Sequence, residues 1–247
     1  MRWKPVVTND VGALPEGDVD GAVSLIRNAS LRELRDETFL REEFLLMLGL
    51  NGEGLAEFPE ELYPWCGRGI RSWQYPVQFS KFLSHLSGMN FRSYVEIGCR
   101  FGGTFIILVE YMRRFMDLDM AVAIDITQTD IMTAYAGRTV GVDYKIQSSA
   151  DPQMKSFLGS KNWDFAFIDG DHSYEGCVSD FHAVRQNASV IGFHDIASAA
   201  CPGVVRAWQE VRGIVPSSRL FEATDQYTSV RERTGCSYLG IGLVDFR

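Results

Sequence analysis

From Ser93 onward, short apolar runs rich in β-branched residues alternate with stretches of helical spacing. "SYVEIG" reads as a strand and Thr104 to Met116 as a helix. "MAVAIDI" reads as a strand, Asp130 to Ala136 as a helix, "VDYKIQ" as a strand and Pro152 to Leu158 as a helix. "WDFAFIDG", Tyr174 to Arg185, "SVIGFHDI" and Gly203 to Val211 continue the alternation. Such an order predicts an α/β fold, a mostly parallel sheet with helices on both faces. Two last runs, around "LFEAT" and "SYLGIGLVDF", show no helix between them. They predict an antiparallel pair closing one sheet edge and bring the total to about seven strands.

The first 90 residues have a different texture. Residues 1 to about 20 read as a loose leader. From Asp20 to Leu50 the apolar residues fall at helical spacing, with a capping-box pattern at Ser30 and Glu33 and a stop at Gly49. A loop rich in Gly, Pro and aromatics follows, and then a helix over Val77 to Leu86. The chain therefore divides into an N-terminal helical extension, residues 1–90, and a sheet domain, residues 91–247.

Composition narrows the partners. Of 247 residues, 46% are hydrophobic and 23% charged, enough for a sizeable core, and the formal net charge is -8. No Lys/Arg run is present, which argues against a nucleic-acid partner. No apolar run is long enough to span a membrane. The five scattered cysteines, Cys66, Cys99, Cys177, Cys201 and Cys236, have neither disulfide nor zinc-finger spacing and read as reduced, packed thiols. With no secretory leader pattern at the N-terminus, the expectation is a soluble, cytoplasmic protein. Phe39, Phe44 and Leu48 form a stripe that fits either core or a homo-oligomer face.

In an open α/β sheet, ligands bind outside the carboxyl ends of the strands. The first strand ends in "VEIGCRFGGT". Glu96, Gly98, Gly102 and Gly103 suit a ligand-holding turn, but Arg100 occupies the place of the middle glycine that a diphosphate needs. The second strand ends in Asp125, placed to hold a ribose diol or to cap a helix. The third ends in "QSSAD", where Ser148, Ser149 and Asp151 offer polar groups to a ligand. Asp151 is the expected cap of the helix starting at Pro152. The fourth ends in "FIDGDHSYE" and the fifth in "GFHDI". Asp169, His194 and Asp195 would converge if these strands are neighbours, and could hold a divalent cation. Oxygen ligands suit Mg2+ or Mn2+, and an imidazole shifts the preference towards manganese or iron. His172 and His194 are candidate general bases. His85 and His182 fall within helices and read as structural.

"VEIGCRFGGT", "AIDI", "FIDGDHSYEG" and "GFHDI" together resemble class I S-adenosylmethionine-dependent methyltransferases. The resemblance is strongest to the small-molecule O-methyltransferase branch that includes cephalosporin-hydroxylase-like and rhamnosyl O-methyltransferase-like proteins. It covers about Tyr94 to Phe246 and implies a Rossmann-like fold. It also implies roles. Glu96, Gly98, Arg100, Gly102 and Gly103, with Thr104 opening the helix, would surround the methionine part of S-adenosylmethionine. Asp125 would hold the ribose, and Ile126 and Ser149 would lie by the adenine. Asp169 would close the site, and Asp169, His194 and Asp195 match the cation ligands of some relatives, with His194 where an acid is common. Residues 1–90 would act as a lid over a small-molecule acceptor, with Trp65, Trp73, Gln74 and Tyr75 at its pocket. Two other classes stay open: an S-adenosylmethionine-binding accessory subunit without methyl transfer, and a metal-dependent α/β hydrolase.

Overall fold

The computed structural model describes residues 12–247. The expected leader therefore falls largely outside the described residues. The chain forms two compact units. One holds Phe101–Asp117, Asp225–Gly235 and the described part of Met1–Asn90; the other holds Phe91–Arg100, Leu118–Thr224 and Cys236–Arg247.

The first unit is helical. Its elements are α1 (Val19–Asn28), α2 (Glu37–Phe39), α3 (Leu45–Leu48), α4 (Pro76–Leu86), α5 (Gly103–Met112) and, from far along the chain, α10 (Thr228–Thr234). A π-turn at Leu40–Phe44 joins α2 to α3. The capping box forms as expected: the Ser30 amide donates to Glu33 Oε2 at 3.0 Å, and the Glu33 amide donates to Ser30 Oγ at 3.2 Å. It opens a short 3-10 turn, Glu33–Arg35, rather than a long helix. Every residue of α5 is buried. Its one charged residue, Glu110, is paired through both carboxylate oxygens with Arg27 of α1, at 2.7 and 3.0 Å. That fork satisfies an acid which would be costly to bury alone. Phe44 and Leu48 lie in the core of this unit.

The second unit carries the sheet. Its strands are β1 (Ser93–Ile97), β2 (Met120–Asp125), β3 (Val142–Ile146), β4 (Trp163–Ile168), β5 (Ala188–Phe193), β6 (Leu220–Ala223) and β7 (Ile241–Asp245). The order is β3-β2-β1-β4-β5-β7-β6. β1 to β5 are parallel, and β7 runs antiparallel between β5 and β6. This is the seven-stranded, mostly parallel sheet with flanking helices expected of a Rossmann-like methyltransferase fold. The central strands β1, β4 and β5 are almost wholly buried, which explains their continuous apolar sequences. β3 is one edge, and its exposed Asp143 and part-exposed Lys145 discourage pairing with another chain. α6 (Asp130–Arg138), α7 (Pro152–Gly159), α8 (Tyr174–Val184) and α9 (Pro202–Arg212) complete the unit. Leu158, Phe181, Val204 and Trp208 from the last three pack with Val95, Val122, Ala166 and Ile191 of the strands in one core.

One expectation fails. The stretch between the last two strands contains α10, a helix with a single buried residue, Val230. Too few apolar residues fall there to show a helical period. No helix of the described residues is long and apolar enough to cross a membrane.

Candidate functional site

The order of strands reverses at β1, between β2 and β4, so the loops after β1, β2 and β4 open towards one crevice. Glu96 on β1 is fully buried beneath the first of these loops. The Tyr94 hydroxyl donates to its Oε2, while Oε1 has no partner among the described residues. Burial pushes its carboxyl well above the usual range. Gly98 follows with φ 85°, and a Cβ there would overlap the carbonyl of Asp169. Glycine is thus required by the close approach of the β1 and β4 ends. Gly98 also donates its amide to Ile124, at 2.8 Å.

Arg100 holds the left-handed conformation that a glycine would take, with φ 45°. Its amide donates to Asp125 Oδ2 at 2.7 Å, beside the Cys99 amide at 3.0 Å, and Thr127 donates to Oδ1 at 2.8 Å. Asp125 therefore shapes the glycine loop. With two amides on Oδ2 and one on Oδ1, it keeps about one lone pair for a ligand. Ile126, next to it, is 75% exposed, an unusual fate for isoleucine and a suitable surface for a flat apolar ring.

The remaining loop residues lie in the helical unit. Gly102, with φ 87°, caps α5, and Gly103 begins it. A Cβ on Gly103 would overlap the Ile70 carbonyl, so this glycine admits the passing backbone of residues 70–72. The Thr104 hydroxyl accepts from Gln74 Nε2 at 3.4 Å. Tyr75 does not line an open pocket: it is fully buried, bonded to the Glu57 carbonyl and packed edge-on against Phe58 and Tyr227. Trp73 donates to Glu57 Oε2 at 3.1 Å.

Ser149, after β3, lies near Asp180 of α8 and favours that acid's charged form. Asp180 is buried, its Oδ2 has no partner among the described residues, and burial pushes its carboxyl up to about 6. Asp151 occupies the N-cap position of α7 but makes no capping bond through its side chain.

The ends of β4 and β5 are adjacent, and the expected cluster forms there. His194 Nδ1 lies 3.1 Å from Asp169 Oδ1 and 3.5 Å from Asp195 Oδ2. His172 Nε2 lies 3.4 Å from Asp169 Oδ1 and 3.6 Å from Asp195 Oδ2. Donor atoms of Asp169, His194 and Asp195 are close enough to share one metal ion. His194 is buried; burial pushes its imidazole down, but Asp169 and Asp195 outweigh that and hold it well above its usual value. His172 is half exposed, and its bonds to Asp169 and Cys201 push it up to about 10. Asp195 is buried, which would raise its carboxyl, yet His194 and His172 hold it down at about 2. Its backbone is left-handed, φ 59°.

Sequence reasoning missed one member. Cys201, read as a packed thiol, sits with Sγ 3.3 Å from His172 Nδ1 and 3.2 Å from Asp195 Oδ2. It was visible only as one of five scattered cysteines, since nothing local ties it to the fourth strand.

Residues 95–196 match the family model for a methyltransferase domain. The matched stretch runs from within β1 into the loop after β5 and contains every cofactor and cation residue expected from the sequence; Cys201 lies beyond it. Over that stretch the chain is similar to methyltransferase domains. Among solved structures, the chain is similar to cofactor-bound Rv0187 from MTB, with 18% identity and a TM-score of 0.51, over 94% of this chain and 97% of that one. At that identity the likeness shows the fold. A cyclopropane-fatty-acyl-phospholipid synthase-like protein from Lactobacillus casei ATCC 334 is also similar, at 10% identity and a TM-score of 0.45, over 69% of this chain and 91% of that one. No curated protein sequence matches the chain.

Proposed function

We propose that the protein transfers a methyl group from S-adenosylmethionine to a hydroxyl of a small molecule, such as a sugar or secondary metabolite, with help from a divalent cation. The observation that carries this reading is Oε1 of buried Glu96 beneath the glycine loop, which has no partner among the described residues. An acid so placed is a ready acceptor for the amino group of a methionine moiety, and exposed Ile126 offers a face to a purine.

S-adenosylmethionine, when bound, supplies an electrophilic methyl group on a sulfonium. The chain's task is then positioning, since methyl transfer is an in-line displacement. Glu96, Gly98, Arg100, Gly102, Gly103 and Thr104 hold the methionine end. Asp125 holds the ribose through its remaining lone pair, and Ile126 and Ser149 flank the adenine. Asp169 closes the site. With a cation bound to the carboxylates that otherwise keep these imidazoles protonated, His172, or His194 where it is not itself a ligand, accepts the proton from the acceptor hydroxyl. Asp169, His194 and Asp195 fit Mg2+ or Mn2+, and such an ion would lower the pKa of the hydroxyl. In this reading residues 1–90 supply acceptor specificity and residues 91–247 form the cofactor domain.

Calorimetric titration with S-adenosylmethionine tests the reading. The expected result is micromolar-range binding, lost in Asp125→Ala, and turnover of a hydroxylated acceptor that falls with EDTA. Absence of cofactor binding by the intact chain overturns it, and metal binding without cofactor binding points to a hydrolase instead. Cofactor binding with no turnover of any acceptor leaves an accessory subunit.

A further inference from the structure

We propose that His172, Asp195 and Cys201 form a binding site for a divalent transition-metal ion of the zinc type, sharing Asp195 with the oxygen-richer Asp169–His194–Asp195 set. The inference does not need the methyl-transfer reading.

Three separate segments bring these donors together: the loop after β4, the loop after β5 and the residue that caps α9. Their ligand atoms all lie within 4.8 Å of one another. Sγ of Cys201 is 3.2 Å from Asp195 Oδ2 and 3.3 Å from His172 Nδ1. Ligands held about 2.0–2.3 Å from one ion lie roughly 3–4 Å apart along the edges of its coordination polyhedron; the two Cys201 edges fall in that range, and the edge between His172 and Asp195 lies within 4.8 Å and closes by a small turn of the half-exposed imidazole.

Donor chemistry sets the choice of ion. Magnesium takes oxygen ligands and has little use for sulfur. A thiolate, an imidazole and a carboxylate together suit Zn2+, Co2+ or Fe2+. Cys201 and Asp195 are buried, while the half-exposed His172 leaves one side of the site open for a water or a substrate oxygen. Three protein ligands with an open fourth position is the arrangement of reactive rather than purely structural zinc. The competing account is a plain hydrogen-bond network of thiol, imidazole and carboxylate, which needs no ion.

Cobalt separates the two. The full chain, stripped of metal under reducing conditions, is titrated with Co2+ and followed by absorbance, then with Zn2+ by calorimetry. Wild-type protein should develop a thiolate-to-cobalt charge-transfer band. Cys201→Ser, nearly isosteric, should lose the band while keeping its circular dichroism spectrum. Loss even of residues that only orient a ligand weakens metal sites about 10–100-fold, so Cys201→Ser and His172→Ala should each weaken zinc by roughly 100-fold or more. Cobalt binding without the band, and unchanged in Cys201→Ser, places the ion on Asp169, His194 and Asp195 alone and overturns the inference. Failure of both ions to bind overturns it too; S-adenosylmethionine binding in the same sample then tests the methyl-transfer reading separately.

Discussion

The loop after β1 and the paired loops after β4 and β5 lie at the same end of the sheet but handle charge in opposite ways. In the first, Asp125 meets its needs with the backbone amides of Cys99, Arg100 and Thr127. In the second, two carboxylates, two imidazoles and a thiol face one another, and side chains balance one another's charge. Backbone amides do not titrate near neutral pH and give a fixed shape. Side-chain clusters respond to protons and metals. The first region thus suits a ligand of constant form, and the second suits a change of state.

Several substitutions would break or sharpen this contrast. The largest effect is expected at Gly98, where the two regions touch. Gly98→Ala combines a positive φ with overlap on the Asp169 carbonyl, and should lower stability by about 3 kcal/mol or more. Chemical denaturation measures it, and an unchanged midpoint would show that the β1 and β4 ends do not need to approach so closely.

Asp180 comes next, a buried acid with a partnerless oxygen and a carboxyl pushed up to about 6. An acid whose folded pKa lies above its unfolded one loses stability as pH rises between the two, and the loss is complete above the folded value. Asp180→Asn should therefore be more stable than wild type by on the order of 2–3 kcal/mol above about pH 7, with the difference vanishing near about pH 4. Thermal melts across that range would show it, and parallel curves for the two proteins would contradict it.

Asp125→Ala should lower the stability of the cofactor-free protein by about 1–2 kcal/mol, because two loop amides lose a charged acceptor. Unchanged stability alongside lost cofactor binding would make Asp125 purely a ribose ligand and weaken the contrast. The smallest effect is at Arg100. Arg100→Gly should leave stability unchanged or raise it by up to about 1 kcal/mol by relieving the left-handed backbone. A fall in S-adenosylmethionine affinity in that variant would assign the side chain to the cofactor carboxylate.

How much was legible follows the same division. β1 to α9 could be read because each element is a contiguous run with its own period, and the acid ending β2 could be placed by counting. α10 could not, because its one buried residue makes no pattern. Asp125 was visible as an acid, but its hold on the loop amides is a product of tertiary structure. Cys201 joins His172 only because β4 and β5 are neighbours and α9 starts beside them, a juxtaposition made by the fold and absent from any local spacing. Tyr75 misled in the other direction: an aromatic in a Gly- and Pro-rich loop looked available, yet its ring fills the helical unit's core.

The left-handed backbone of Asp195 has a practical bearing on how the cluster is dissected. Asparagine and glycine tolerate φ 59°, whereas alanine there adds strain unrelated to the lost carboxylate. Asp195→Asn is therefore the clean probe of charge at this position, and an alanine scan would credit the carboxylate with damage done to the turn.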